Sequence, residues 1–263
     1  MSGNRHPRRW TGWAPAVLLA VLAIGVPWGG EARAGGLVDH RATYAMKMVR
    51  SSGQGGISGA RGAMVYEFRD TCDGWQVDTK VYLRLRSGRG PEMESVRLVS
   101  SWEAKDGSGF RFRVTEKTGG EVSEEIRGVA VTGEDGGVAE YTRPKSFTVK
   151  LPKDTVFPTA HLRSLIKTGS DGGKHLSRVL FDGATLENPY VVGAQVRPRG
   201  GAPDAWRARM AYFPFNSRAQ TPEFELGVDY GDDGVVQSVL QDFGDYRIEA
   251  RIERLEKLDA PIC

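Results

Sequence analysis

Between Trp75 and Arg86 apolar and polar side chains take turns: Trp75, Val77, Thr79, Val81, Leu83 and Leu85 are interleaved with Gln76, Asp78, Lys80, Tyr82, Arg84 and Arg86. Successive side chains of an extended chain point to opposite sides, so this period of two predicts a half-buried antiparallel strand. The same alternation runs through 44–49, 64–68, 96–102, 110–114, 147–151, 206–213, 224–230, 235–240 and 246–252. Between these runs stand Asp106-Gly107, Asp135-Gly136-Gly137 and Asp233-Gly234, turn residues that reverse a chain at little cost. One stretch, 157–169, changes period. Thr159 is placed to cap a helix whose Leu162, Leu165 and Ile166 share a face, with Gly169 just past its end. Strands this numerous, without alternating helices, must curl or close to protect their edges. The expected fold class is therefore mainly β: an antiparallel, strongly curved, spiral-like sheet or incomplete β-barrel wrapped around one helix.

The N-terminus follows different rules. Arg5, Arg8 and Arg9 precede an apolar run from Ala14 to Val26, and Ala32-Arg33-Ala34 follows it, the three parts of a secretory signal in order. A membrane span needs about 20 apolar residues, and this run is shorter and broken by Pro15 and Pro27. No cysteine follows it to take a lipid anchor, and Arg8-Arg9 lacks the fuller twin-arginine context. Residues 1–34 are thus expected to be removed during general secretion into a periplasm. The remainder, 35–263, is expected to be a single β-spiral domain without a transmembrane segment, because no Pro/Ser-rich linker, charge block or repeat divides it.

Processing also changes the electrostatics. Losing Arg5, Arg8, Arg9, Arg33 and Glu31 leaves 36 − 4 = 32 basic against 33 − 1 = 32 acidic side chains. The +3 formal charge of the whole chain therefore says nothing about the mature surface. Without a net positive charge to neutralise phosphates, nucleic acid is not an expected partner.

Cys72 lies early in the mature chain and Cys263 ends it. An oxidising compartment makes their pairing the natural state, the alternative being two buried free thiols. Such a bridge would be a staple, since a redox dithiol more often uses the close C-x-x-C spacing. Ser164-Leu165-Ile166-Lys167 and Lys167-Thr168-Gly169 match the S-x-x-K and K-T-G motifs of acyl-serine enzymes, but Lys167 would have to serve in both. The glycines at 53, 55, 56, 59 and 62 do not make a phosphate-binding motif. His40, His161 and His175 show no metal-ligand spacing, and His161 is expected near the helix start, exposed or hydrogen-bonded locally. Neighbouring acids such as Glu124-Glu125 and Asp232-Asp233 read as solvated surface. No catalytic residue, metal or cofactor is assigned.

Aromatic side chains carry the remaining functional hint. Trp75, Trp102, Phe112, Trp206, Tyr212 and Phe213 are candidates to line the concave side of a curved sheet, as a groove for an acyl chain or an extended peptide; the competing account is ordinary core.

Several stretches taken together resemble a known family. Leu37 to Tyr44 (LVDHRATY), Gly62 to Phe68 (GAMVYEF) leading to Cys72, Phe157 to His161 (FPTAH) and the terminal Cys263 are similar, in order and in cysteine placement, to the EipB family of periplasmic envelope-integrity proteins of Alphaproteobacteria. The resemblance implies a spiral-like incomplete barrel around a helix, a disulfide between Cys72 and Cys263, and a role in the envelope without a family-wide catalytic set. The function expected on that basis is non-enzymatic support of cell-envelope integrity, through an envelope protein or a lipid- or lipoprotein-like ligand; a periplasmic enzyme acting on peptidoglycan or lipid is the alternative. Intact-mass analysis of protein taken from a periplasm should give a chain beginning at Gly35, and an alkylating reagent should add no mass to unreduced, denatured protein.

Overall fold

The computed structural model describes residues 36–52, 57–87, 90–200 and 204–263. The expected export signal at 1–34 lies outside the described residues. The first half of the chain gives β1 (His40–Ser51), β2 (Ile57–Asp70), β3 (Gly74–Ser87), β4 (Met93–Ala104), β5 (Gly109–Thr118), β6 (Glu121–Gly133), β7 (Gly136–Arg143) and β8 (Phe147–Leu151). After the short β9 (Thr155–Val156) comes the helix α1 (Pro158–Ser170), then β10 (His175–Leu180), β11 (Tyr190–Pro198), β12 (Ala205–Pro214), β13 (Phe224–Gly231), β14 (Val236–Asp242) and β15 (Tyr246–Lys257).

All fifteen strands belong to one sheet in the order β8-β7-β6-β5-β4-β3-β2-β1-β15-β14-β13-β12-β11-β10-β9. Every neighbour is antiparallel except β9, which runs parallel to β10 through Thr155 and Val156. The two edge strands are consecutive in the chain, joined only by Pro152-Lys153-Asp154. Three residues span little more than about 10 Å even when extended. The sheet must therefore curl until its edges almost meet, and the result is a nearly closed, barrel-like sheet holding one helix.

The side chains that face inward are those the period of two selects. Across β1, β2 and β3, for instance, Ala42 stands opposite Tyr66, which stands opposite Thr79, while Tyr44, Met64 and Val81 form the next row. Such a large inner face needs more cover than one helix provides, and it receives that cover from three sources. Leu162, Leu165 and Ile166 of α1 pack on Tyr190, Val192, Ala194, Ala208, Met210 and Tyr230 of β11–β13. Phe157, just before the helix, and Phe181, just after β10, fill the opposite half against Phe110, Phe112 and Tyr141. The Phe110 and Phe157 rings stack at 4.9 Å, and Phe181 meets Phe112 edge-on at 5.4 Å. The third is lateral packing along the neighbouring strands β2, β1, β15 and β14, where Tyr44, Ala42 and Ala250 lie among Met46, Met64, Val239 and Ile252.

Two details of the helix differ from the sequence expectation. Thr159 is not the cap: that position is held by Phe157, Pro158 opens the helix, and no side chain of the segment itself satisfies the first amides. Proline suits the first turn because its missing N–H would be unpaired there anyway. Gly169 lies inside the last turn rather than beyond it, and the reason is packing: a Cβ there would stand 2.6 Å from the indole of Trp206.

The start of β1 and the C-terminal residues are gathered at one place. Cys72 and Cys263 form a disulfide with a Cα separation of 5.7 Å across 191 residues of sequence. Beside it the Asp39 carboxylate accepts the Asp70 amide, and the Asp39 carbonyl accepts the Leu258 amide. Cys72 itself has φ of 67°, a left-handed conformation that side chains with a Cβ adopt at a cost of about 1 kcal/mol or more. Cys72→Ser and Cys263→Ser should lower the melting temperature equally, by about 5–10 °C, because either removes the same cross-link from the unfolded chain. Cys72→Gly should lose about 1 kcal/mol less than Cys72→Ser, since glycine also relieves the left-handed backbone; thermal unfolding of the three variants measures both differences.

Candidate functional site

The sheet offers two candidate surfaces, the inner face around the helix and the outer face. On the inner face the most polar feature is Glu103, only 2 % exposed near the end of β4. Its two carboxylate oxygens accept the backbone N–H groups of Thr159 and Ala160, at 2.6 and 2.8 Å. Those are amides of the first helical turn, which no intrahelical carbonyl can satisfy. Glu103 thus replaces the local cap the sequence lacks. Burial pushes its carboxyl above the usual carboxylate range, and the two amides pull it back in part. The group is fully used as an anchor, with both oxygens committed.

His161 is buried, not exposed, and its Nε2 has no hydrogen-bond partner among the described residues. Burial, with a smaller contribution from Arg178, pushes its pKa down to about 4, so the ring is neutral at physiological pH. The Ser164 and Lys167 side chains do not converge. Ser164 Oγ donates to the Ala160 carbonyl at 2.8 Å, while Lys167 Nζ reaches Asp171 at 2.7 Å on the exposed side of the helix. Glu124, read from the sequence as solvated surface, instead takes part in an ion-pair cluster with Arg97 and Glu116 at 3.1 and 2.5 Å from the shared guanidinium nitrogen. Among the described residues no group of three or more His, Cys, Asp or Glu side chains is arranged to hold a metal.

The six aromatic candidates do not form one groove. Trp75, Phe112 and Tyr212 face inward and are 8, 3 and 5 % exposed, each absorbed into core. Trp206 also faces inward, against the helix at Gly169. Trp102 and Phe213 occupy the other face, because each is the strand neighbour of an inward residue, Glu103 and Tyr212. Alternation separates adjacent positions by the full thickness of the sheet. The candidates consequently split between four places: Phe112 in the cluster of β5–β8, Tyr212 and Trp206 in the cluster under the helix, Trp75 on the inner face beneath Arg163 of the helix, and Trp102 and Phe213 outside.

What the sequence did not show is a trough on the outer face of β10–β15, with a volume of about 560 Å³. Two rows of cross-strand neighbours build it. One runs Ser177, Gly193, Ala211, Glu225, Asp242, Arg247, and the other His175, Gln195, Arg209, Gly227, Leu240. The floor is low because Gly193, Ala211 and Gly227 bring almost no side chain to it. At Gly193 the fold does not demand glycine: a Cβ there would meet nothing within 4 Å. Glycine inside a strand weakens it, and often marks a place where something approaches the backbone closely. Arg247 is held by Asp242 at 2.6 Å, whereas Arg209 and Glu225 form no ion pair among the described residues. A signal for this trough existed in the two mid-strand glycines, but reading it required knowing that β11 is a strand.

A disulfide-closed, barrel-like antiparallel sheet with one enclosed helix and an external trough is the class of protein that these features define. The EipB-like family model matches residues 31–259, and the chain belongs to that family. It is 28 % identical over 239 residues to the Cell envelope integrity protein EipB of Brucella abortus (strain 2308), a match covering 85 % of each chain. It is also similar to the crystal structure of a beta-barrel-like protein of a domain of unknown function from Brucella abortus, with a TM-score of 0.79 and 26 % identity over 86 % of this chain and 100 % of that one.

The neutral, buried His161 makes stability depend on pH in a defined direction. A base whose folded pKa lies below its unfolded value supports the fold fully above about pH 6.5, and that support is lost as pH falls toward 4. Denaturant titrations at pH 7 and pH 4 should therefore show the wild type losing up to about 3 kcal/mol more than His161→Leu between those two values. Equal losses would show that His161 is not the group being charged.

Proposed function

We propose that the mature chain acts in a periplasm as a non-catalytic binding protein that supports cell-envelope integrity, and that the outer trough of β10–β15 holds an extended segment of a partner protein. The name of the Brucella relative supports the envelope role. The trough carries the binding role: it is a concavity of about 560 Å³ on the outer face, and its open floor at Gly193 serves no packing need. Walls of both signs, Arg209 and Arg247 against Glu225 and Asp242, suit a peptide better than an acyl chain, whose lipid-like chemistry would call for an apolar lining. Ser164 and Lys167 are engaged in helix-local bonds, which supports binding over acyl-serine chemistry.

Complementation of a deletion strain under detergent stress tests both parts. Gly193→Leu, alone or with Ala211→Leu, fills the trough without touching the core, so the purified protein should melt within about 2 °C of wild type while rescue falls about tenfold or more. Ser164→Ala and Lys167→Ala should rescue fully. Full rescue by a folded trough variant would move the binding site elsewhere, and failure of a folded, abundant Ser164→Ala would favour an enzyme acting on peptidoglycan or lipid.

A further inference from the structure

The outer face of β4–β6, far around the sheet order from the trough, departs from two regularities, the first of which is relaxed elsewhere only at scattered positions such as Val49, Val65 and Leu255. The first concerns apolar placement. Beyond the buried Ile126, β6 turns its small residues Gly128 and Ala130 inward and Val129 and Val131 outward, and Val122, Val129 and Val131 are 60, 43 and 53 % exposed. The inward positions are small because the space is taken: a Cβ at Gly128 would stand 2.6 Å from the Phe112 ring and 2.4 Å from the Glu140 carbonyl oxygen. Nothing comparable requires the outward residues to be valine. Leu98 of β4 adds a further exposed apolar side chain to the same face.

The second regularity concerns charge. Elsewhere, where like charges meet across strands, opposite charges answer them. Arg61 and Arg84 are neighbours on β2 and β3, and Glu92 and Glu94 lie 3.7 and 3.4 Å from them. Arg197 and Arg207 are neighbours on β11 and β12, and Asp229 pairs with Arg207 at 2.5 Å. Arg113 and Arg127 also stand directly opposite each other, on β5 and β6, yet neither forms an ion pair among the described residues. Arg111 beside them lies 4.1 Å above the ring of Trp102. A hollow of about 280 Å³ is lined by Gln76, Ser100, Trp102, Arg111, Arg113 and Arg127, with three guanidinium groups and no carboxylate. Of the acids that border it, Glu125 holds Arg143 at 3.5 Å and Asp78 accepts from Gln76 at 3.1 Å, while Glu140, across from Val129 on β7, shares an adjoining hollow with Arg127 and forms no ion pair among the described residues.

Like charges directly opposite one another weaken a sheet, so an unanswered pair calls for an anionic partner. From this combination we infer that the outer face of β4–β6 is a docking surface for an anionic phospholipid bilayer. The arginines supply forked donors for lipid phosphates, with the hollow beside Trp102 receiving a headgroup. Trp102, Leu98, Val129 and Val131 supply the apolar and aromatic contacts that suit the interfacial layer. An acidic protein would satisfy the arginines but would leave the exposed valines unexplained, which is why the bilayer is favoured. This surface is separate from the trough and stands or falls independently of it.

Flotation of the full mature protein with vesicles tests the assignment, using phosphatidylcholine alone and phosphatidylcholine mixed with phosphatidylglycerol. Wild type should float with the mixed vesicles at about 50 mM salt and lose about tenfold or more of that binding at about 500 mM, where screening shortens the reach of the arginines. Arg113→Ser with Arg127→Ser should lose binding by a similar factor while melting at or above the wild-type temperature, since a repulsive pair has been removed. Val129→Thr with Val131→Thr should weaken binding and keep its salt dependence. Arg209→Ser, in the trough, should float as wild type does. Absence of flotation at low salt, or equal flotation by the folded arginine variant, overturns the inference, as does charge-dependent capture of an acidic protein by a chain that ignores the vesicles.

Discussion

The structure depends on how the sheet holds its helix, and that comes down to the Glu103 carboxylate receiving the Thr159 and Ala160 amides. Hydrogen bonds to an ion contribute about 1.5–3 kcal/mol each, while stripping water from a carboxylate costs several kcal/mol. The two nearly cancel, so the gain is one of position more than of stability. The bond fixes the start of α1 against β4, from one side of the curled sheet, while Leu165 and its neighbours fix the helix against β11–β13 on the other. Phe157 and Phe181, at the two ends of the segment that contains the helix, are thereby delivered into the aromatic cluster of β5–β8. Two interior hydrogen bonds thus tie the helix to the first half of a sheet whose edge strands share no ladder.

This arrangement assigns different work to the two faces. The inner face is consumed by packing, and several of its polar groups join elements: Glu103 caps the helix, Arg97 bridges Glu116, Glu124 and the Ala184 carbonyl, and Tyr44 donates to the Val236 carbonyl. The outer face, relieved of core duty, carries the features that packing does not account for, namely the glycine-floored trough of β10–β15 and the arginine–valine face of β4–β6. Both lie on strands where an outward residue departs from the expected type: glycine where a side chain would fit, valine where a polar residue would serve. The disulfide and Asp39 tie the start of β1 and the C-terminal residues to the turn that carries Cys72, next to Trp102, whose Nε1 donates to Thr71 at 3.2 Å.

The sequence by itself determined the element types and the fold class. Period-two alternation is strong wherever inward residues are large, as in β3 from Trp75 to Leu85, and the lone helix announces itself by the spacing of Leu162, Leu165 and Ile166. The pairing of Cys72 with Cys263 followed from the compartment that the N-terminal segment implied. Strands β6, β7, β10 and β11, and the two-residue β9, escaped notice. For β6 the cause is physical: beyond Ile126 its inward positions are only Gly128 and Ala130, opposite Phe112 and Phe110, while Val129 and Val131 point outward and blur the alternation. Only the tertiary structure decided which aromatics share a face, since Trp102 and Trp75 are far apart in sequence and their sides depend on pairing register. It also decided that a carboxylate 56 residues upstream caps the helix, a contact with no local signal. Periodicity reports what one strand does relative to its own axis. Closure of the sheet, the partner of each buried charge and the residue that fills a neighbour's empty space are set by segments far apart in the chain, and those meet only in three dimensions.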